Sequence, residues 1–241
     1  MLFDRRVLGM TPAFLVATVC VGLAGGIVGS LYLLAIHLLQ HVLWPDHYNS
    51  AVVFLTLALA GVVVVVVTRV LGMPGDVELL VDNIHVSGGM ESVRELRSLV
   101  PMSVVTISAG AAAGPEAPLV TTCGTLASWF ARRRRLTVVE TRSITIAGMA
   151  AAFSLLFGAP VGSALFALEI LHREGMEYHE ALVPSIVGSL SGYACYVVAT
   201  RNGLTPVWQI PGVDKLRAVD LLWALGAGVV GALLAVAFTF A

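Results

Sequence analysis

From residue 52 to residue 71 the chain reads VVFLTLALAGVVVVVVTRVL, with six consecutive valines at Val62 to Val67 and one charge, Arg69. A helix that crosses the hydrocarbon layer of a bilayer needs about 20 mostly apolar residues. This run meets that length. Only 12% of the chain is charged and 58% is hydrophobic, with a mean hydropathy of +0.91. A soluble domain carries about a quarter charged residues. Half that share leaves too few charges to cover a water-facing surface. The chain reads as an all-α, polytopic membrane protein.

Hydropathy predicts further crossings over residues 12–42, 181–199 and 220–241, and shorter helices within 91–113, 119–131, 141–156 and 161–171. A short mixed segment occupies 76–85, and Ser87-Gly88-Gly89 reads as a loop. Arg132 to Arg135 form a basic loop, 172–180 a charged loop and 200–219 a polar stretch. No cleavable signal peptide is evident, because the first apolar run is too long. With the N-terminus placed in the cytoplasm, and with the short pairs around Pro118 and Pro160 meeting at mid-membrane and returning inward, the Lys and Arg residues divide 11 inside to 3 outside.

Three interruptions carry the functional argument. They are Gly72-Met73-Pro74-Gly75, Gly114-Pro115-Glu116-Ala117-Pro118 and Phe157-Gly158-Ala159-Pro160. A break at membrane depth leaves backbone groups unsatisfied and is tolerated only in protein or beside a polar cavity. Paired broken helices point to a transport site near the midplane. The free N–H groups and positive dipole end of a half-helix favour an anion. Candidate half-helix starts lie at Glu116–Pro118, with Pro118 suited to a first turn, and at Ala159–Pro160. Glu116 is an ionisable residue between two apolar stretches, which makes it a functional candidate. Its carboxylate either occupies the place of an anion, to be vacated on protonation or swinging away, or caps its own helix.

Other residues invite plainer readings. Cys20, Cys123 and Cys195 have no short spacing and read as packing residues. His37 and His41 share a helix face, yet no acidic or Cys partner is near in sequence. Gly22, Gly25, Gly26 and Gly29 have the small-xxx-small spacing of close helix packing. Trp44, Trp208 and Trp223 read as interfacial anchors, and His172 and His179 as solvated loop residues. The arginines 132–135 fit a topology-setting loop, with anionic lipid as the other reading. Ser163 would suggest a hydrolase only with an activating His, and none stands at membrane depth.

The breaks resemble those of the CLC family of chloride channels and chloride/proton antiporters. Gly114-Pro115-Glu116-Ala117-Pro118 matches its Gly-Arg/Lys-Glu-Gly/Ala-Pro motif. The stretch Ala147-Gly148-Met149-Ala150-Ala151-Ala152, then Phe157-Gly158-Ala159-Pro160, then Ala164-Leu165-Phe166-Ala167-Leu168-Glu169, resembles its alanine-rich helix, Asn-Ala-Pro break and Phe-x-x-Glu helix end. The resemblance covers the whole chain. It implies the first inverted-repeat half of that fold over 1–241, plus the start of the connecting helix. It implies a gating role for Glu116, anion contacts from Gly114, Pro115, Ala117, Pro118, Gly158, Ala159 and Pro160, and a homodimer with the helix 181–199 at its interface. Voltage gating and a bacterial-type plasma membrane belong to the same expectation. No cofactor, metal, enzymatic activity or nucleic-acid partner is expected; the partners are chloride or a similar anion and membrane lipid.

Three departures qualify this. Pro115 replaces a basic residue. The family's Gly-Ser-Gly-Ile-Pro serine is missing from Met73-Pro74-Gly75-Asp76-Val77-Glu78, so an anion there would rest on backbone N–H groups after Gly75, with Asp76 turned away. Antiporters of the family carry two adjacent glutamates where this chain has Glu169-Ile170. The resemblance thus leans toward passive conduction, with Glu169 either a substitute proton acceptor or the partner of Arg173 at i, i+4. The family's second half, with its Gly-x-Phe-x-Pro motif, is not found. The expectation is a fragment, a truncated frame or one of two separately encoded halves that does not transport alone; a non-transporting assembly role is the alternative.

Overall fold

The computed structural model describes residues 10–44, 49–75, 77–89, 92–171, 178–201 and 218–239. Their elements are nine α-helices and two short 3-10 turns. Five helical stretches among the described residues are long and apolar enough to cross a membrane.

The first helix, α1 (Pro12–Leu43), is opened by Pro12 in its first turn and by Thr11, whose hydroxyl accepts from the Phe14 N–H. Next comes α2 (Ser50–Leu71), capped by the Asn49 side chain. Thr56 is its one buried residue, while Phe54, Leu59 and Val70 are well exposed. Such an apolar, exposed helix is suited to lipid. Two shorter helices follow, α3 (Val77–Ser87) and α4 (Leu96–Ser108), the latter entered through a 3-10 turn at Val93–Glu95. The loop expected at Ser87-Gly88-Gly89 begins one residue later. Gly88 and Gly89 have φ of 73° and 98°, a region glycine enters without steric cost.

The centre is built by α5 (Glu116–Arg133), α6 (Val138–Phe157), α7 (Pro160–Glu169) and α8 (Leu182–Thr200). Ile144, Ile146, Ala147, Met149 and Ala150 to Ala152 of α6 are all buried. Its neighbours are α1, α5, α7 and α8. Glycines set the spacing. A Cβ on Gly26 of α1 would come within 2.5 Å of the Gly192 carbonyl oxygen and 2.7 Å of Cys195 Cβ on α8. A Cβ on Gly192 would lie 2.9 Å from Ala151 Cβ of α6. The α1 glycines are therefore packing residues, as their spacing predicts.

Helix lengths differ from the sequence expectation at two central helices, α5 and α6. At 10 residues, α7 is about 15 Å long, half the ~30 Å hydrocarbon core. However, α6 has 20 residues rather than the short span expected, and α5 has 18, reaching through Arg132 and Arg133 of the expected loop. The reason for α6 is a reciprocal capping box. Thr137 Oγ1 accepts from the Glu140 N–H while the Glu140 carboxylate accepts from the Thr137 N–H, which starts the helix three residues early. A second compact unit, Trp208–Ala241, contains α9 (Ala218–Thr239), itself long and apolar enough to cross. Trp208 and the polar stretch 202–217 lie outside the described residues.

Candidate functional site

At each of the three interruptions predicted from Gly and Pro, one helix ends and the next begins. At the first, α2 ends on Gly72 with φ of 93°, its N–H bonded to the Thr68 carbonyl. Residues 72–75 are non-helical, and Gly75 is buried. The Ser98 hydroxyl donates to the Met73 carbonyl at 3.2 Å and ties this break to α4. Asp76 lies outside the described residues.

At the second, α4 ends at Ser108 and α5 starts at Glu116. Two groups on α1 or just beyond it hold the end of α4. The Trp44 indole N–H donates to the Ser108 carbonyl at 2.9 Å, and the Ser108 hydroxyl donates to the Ile36 carbonyl at 3.2 Å. Trp44, expected as an interfacial anchor, thus also satisfies a helix C-terminus. Pro115 stands at the N-cap of α5 without a side-chain cap, and the first backbone bond runs from the Leu119 N–H to the Pro115 carbonyl at 3.0 Å. Pro118 has no N–H. Helix geometry then leaves the N–H groups of Glu116 and Ala117 without intrahelical acceptors.

The Glu116 carboxylate folds back over this backbone. A Cβ on Gly114 would collide with Glu116 Oε2, so only glycine leaves room for the carboxylate there. Glu116, Gly114 and Ala117 are exposed, and Pro115 and Pro118 half-buried. A cavity of about 480 Å³ joins the first two breaks, with Pro74 on one wall, Gly114, Glu116 and Pro118 on another, and Ser103 and Thr106 of α4 between them. Ser103 is buried and accepts a 2.9 Å hydrogen bond from the hydroxyl of Tyr32, a buried residue of α1. No sequence signal marked Tyr32 or Ser103, which stand 71 residues apart.

At the third break, α6 closes on Gly158 with φ of 64°, its N–H bonded to the Ser154 carbonyl at 3.0 Å. Ala159 is the N-cap of α7 and Pro160 its first residue. The first bond of α7 runs from the Ser163 N–H to the Ala159 carbonyl at 2.8 Å, so the Val161 and Gly162 N–H groups lack intrahelical acceptors. Phe153, Phe157 and Phe166 brace this break, with ring centroids 4.8 to 5.7 Å apart. Gly158, Ala159 and Pro160 are not part of the 480 Å³ cavity wall. They do share its depth. A Cβ on Gly29 would meet both Leu155 in the last turns of α6 and Leu119 in the first turn of α5. Gly29 lies near the middle of α1. The start of α5 and the end of α6 thus lie level with the middle of α1, whereas α4 ends beside Ile36 and Trp44, toward the C-terminal end of α1.

Glu169 is exposed at the far end of α7, about 13.5 Å along the helix from Pro160. Arg173, its expected partner, lies outside the described residues, as does His172. Among the described residues, the buried Ser163 Oγ has no hydrogen-bond partner to activate it as a nucleophile. Of the cysteines, Cys123 is buried as expected for packing, but Cys20 is exposed.

The arrangement offers two helix N-termini of bare N–H groups, one carboxylate lying across the first, and hydroxyl-bearing walls. These elements suit a small anion and no covalent reaction. The sequence profile described as "Voltage gated chloride channel" matches residues 77–241. The chloride/fluoride channel protein of Pseudomonas syringae pv. tomato is 30% identical over 227 residues, which cover 92% of this chain and 48% of that protein. An uncharacterized protein of Methanocaldococcus jannaschii is 27% identical over 203 residues, covering 84% of this chain and 49% of its own length. This chain therefore spans about half the length of these relatives. The fold is similar to that of a slow cyanobacterial Cl⁻/H⁺ antiporter solved by crystallography, with a TM-score of 0.70 at 19% identity, over 89% of this chain and 52% of the other. With the profile match on more than half of its residues and a relative aligned along nearly all of it, the chain belongs to the voltage gated chloride channel family.

Proposed function

We propose that this chain supplies the glutamate-gated, anion-binding half of a membrane pathway for chloride, fluoride or a similar small anion. Members of the family are channels and transporters, not enzymes. The observation that carries the reading is the Glu116 carboxylate lying over Gly114 at the bare N-terminus of α5, inside a cavity that also reaches the first break. A carboxylate in that position competes with an anion for the same N–H groups and dipole field. Protonation removes its charge, and rotation removes its bulk.

The half-site needs further covering elements. Gly114, Glu116, Ala117 and Ala159 are exposed. In a bilayer such irregular backbone must be buried in protein or line a polar cavity. Relatives of about twice the length are consistent with a second half completing the pathway, supplied by the same or another polypeptide. The exposed stripe of Leu190, Ala194 and Val198 along α8 is the surface for a homodimer contact.

Passive conduction is favoured over proton-coupled exchange because Ile170 follows Glu169 and cannot carry a proton. The named function of the Pseudomonas relative, a chloride/fluoride channel, points the same way. The test uses the completed protein in liposomes. Glu116→Gln should remove the pH dependence of chloride and fluoride efflux; an unchanged pH profile refutes the gate. Proton uptake driven by a chloride gradient would instead establish exchange. Anion flux from the present chain alone would refute the need for a second half.

A further inference from the structure

Away from the breaks, a groove runs between α1 and α5. Its deep part, about 260 Å³, is apolar and lined by Cys20, Val21, Ala24, Cys123, Leu126 and Trp129 among others. Its outer part, about 310 Å³, opens between Thr11 and Arg134. The two parts meet at Cys20 and Phe130, which line both. Along α1, the distance from Thr11 at the mouth to Gly25 at the inner end is about 21 Å at 1.5 Å per residue. That exceeds one leaflet's share of the ~30 Å hydrocarbon core by the depth of a headgroup.

The mouth carries positive charge by construction. The helix α5 ends in a Schellman turn: the Leu136 N–H bonds the Ala131 carbonyl, the Arg135 N–H bonds the Arg132 carbonyl, and Arg135 sits in the left-handed region with φ of 53°. This turn gathers Arg132 to Arg135 at one helix end. Two of the guanidinium groups lie over aromatic rings beside the groove. Arg133 is 5.2 Å from the Trp129 ring centroid and Arg134 is 5.4 Å from that of Phe130. The carboxylate lining the mouth, Glu140, keeps its charge but is turned to its own helix start, where its Oε2 accepts from both the N–H and the hydroxyl of Thr137 at 2.9 Å.

We propose that this groove is a binding site for an anionic phospholipid, with its phosphate at Arg134 and one acyl chain in the slot beside Cys20 and Ala24. A basic rim over an apolar, chain-length slot complements that occupant at both ends, and a bilayer supplies it. Neither the rim nor the slot belongs to the anion pathway, so the inference does not depend on it.

Native mass spectrometry of the purified, delipidated protein tests it, with dioleoyl phosphatidylglycerol and dioleoyl phosphatidylcholine as probes. Phosphatidylglycerol should be retained over phosphatidylcholine, and Arg134→Gln should lower its retention about five-fold, the effect of one arginine beside an anionic headgroup. Arg135→Asn is the control, because Arg135 does not line the groove and Asn tolerates its backbone conformation. Ala24→Phe fills the slot at an exposed position and should abolish retention of both lipids; Cys20→Phe carries the same expectation should the first variant not fold. An Arg135→Asn loss equal to that of Arg134→Gln would mean general charge attraction and overturn the site. Retention unaffected by filling the slot would mean that protein or detergent covers it, and would overturn the site equally.

Discussion

Gly26→Ala tests whether the close approach of α1 and α8 holds the fold together. A Cβ at Gly26 would lie 2.5 Å from the Gly192 carbonyl oxygen and 2.7 Å from Cys195 Cβ. Ordinary carbon contacts fall at about 3.5–4.0 Å, so the helices would have to part by about 1 Å. One obstacle is the backbone of α8, which cannot rotate away as a side chain can. Overpacking costs about 1–3 kcal/mol, and the rigid obstacle argues for the upper end. Alanine returns about 1 kcal/mol through its better helix propensity. A net loss of about 2 kcal/mol, or roughly 30-fold in the folding equilibrium, is expected. Gly61→Ala in α2 is the matched control, because nothing stands within 4 Å of its Cβ, and it should be neutral or slightly stabilising. The assay is reversible unfolding in mixed micelles by SDS titration, followed by helical circular dichroism. Combining Gly26→Ala with Cys195→Gly should recover part of the loss, the Gly192 oxygen remaining in the way. Equal stability of the Gly26 and Gly61 variants would refute the packing argument.

Three further substitutions probe separate features. Gly114→Ala should expel the Glu116 carboxylate from its place over the break; its effect on anion flux in the completed protein should vanish on a Glu116→Ala background, and additive effects would count against the contact. Thr137→Ala removes one side of the capping box and should cost about 1 kcal/mol in the same SDS titration, whereas Thr137→Ser should retain most of it. Phe153→Ala removes the buried ring of the aromatic brace beside the third break and should cost about 3–5 kcal/mol, with proteolysis of the 157–160 segment appearing in detergent.

Much of this fold was legible because Gly and Pro act locally. Pro118 and Pro160 lack the N–H that a helix interior requires, which favours a helix start for both; α5 does begin at Glu116 and α7 at Pro160, although Pro101 lies inside α4. Glu116 was legible for the same reason, as the one carboxylate beside such a start between apolar runs. Hydropathy underestimates the length of α6, although Thr137-Val138-Val139-Glu140 carries the capping-box spacing. Hydropathy placed the start where apolar residues become continuous, but the helix starts where its first N–H groups are satisfied. The hydroxyl link from Tyr32 to Ser103, and the meeting of Leu119 with Leu155 over Gly29, were not legible. Each joins residues from distant helices, and no local pattern encodes which helix faces meet.

The support around the breaks is one-sided, and that bears on how the site works. A helix as short as α7 is not stable by itself, since isolated helices under about 12–15 residues are marginal. It persists because Ala164, Ala167 and Leu168 are fully packed into the core and the Phe153, Phe157 and Phe166 rings clamp its first turns to α6. The α4 end of the second break is likewise held from behind, by Trp44 and by the Ile36 carbonyl. In front, Gly114, Glu116, Ala117 and Ala159 are exposed. Rigid rear packing fixes where the bare N–H groups point, while the Glu116 side chain is exposed among the described residues and free of a packed wall there. The proposed anion site would draw on this combination, because preorganised dipoles bind without reorganising and a carboxylate clear of packing can take the vacated place. Packing changes behind the breaks, as at Gly26 or Phe153, should therefore alter anion affinity by misaligning the N–H groups, whereas changes in front, as at Gly114, should alter gating with affinity for a bound anion preserved.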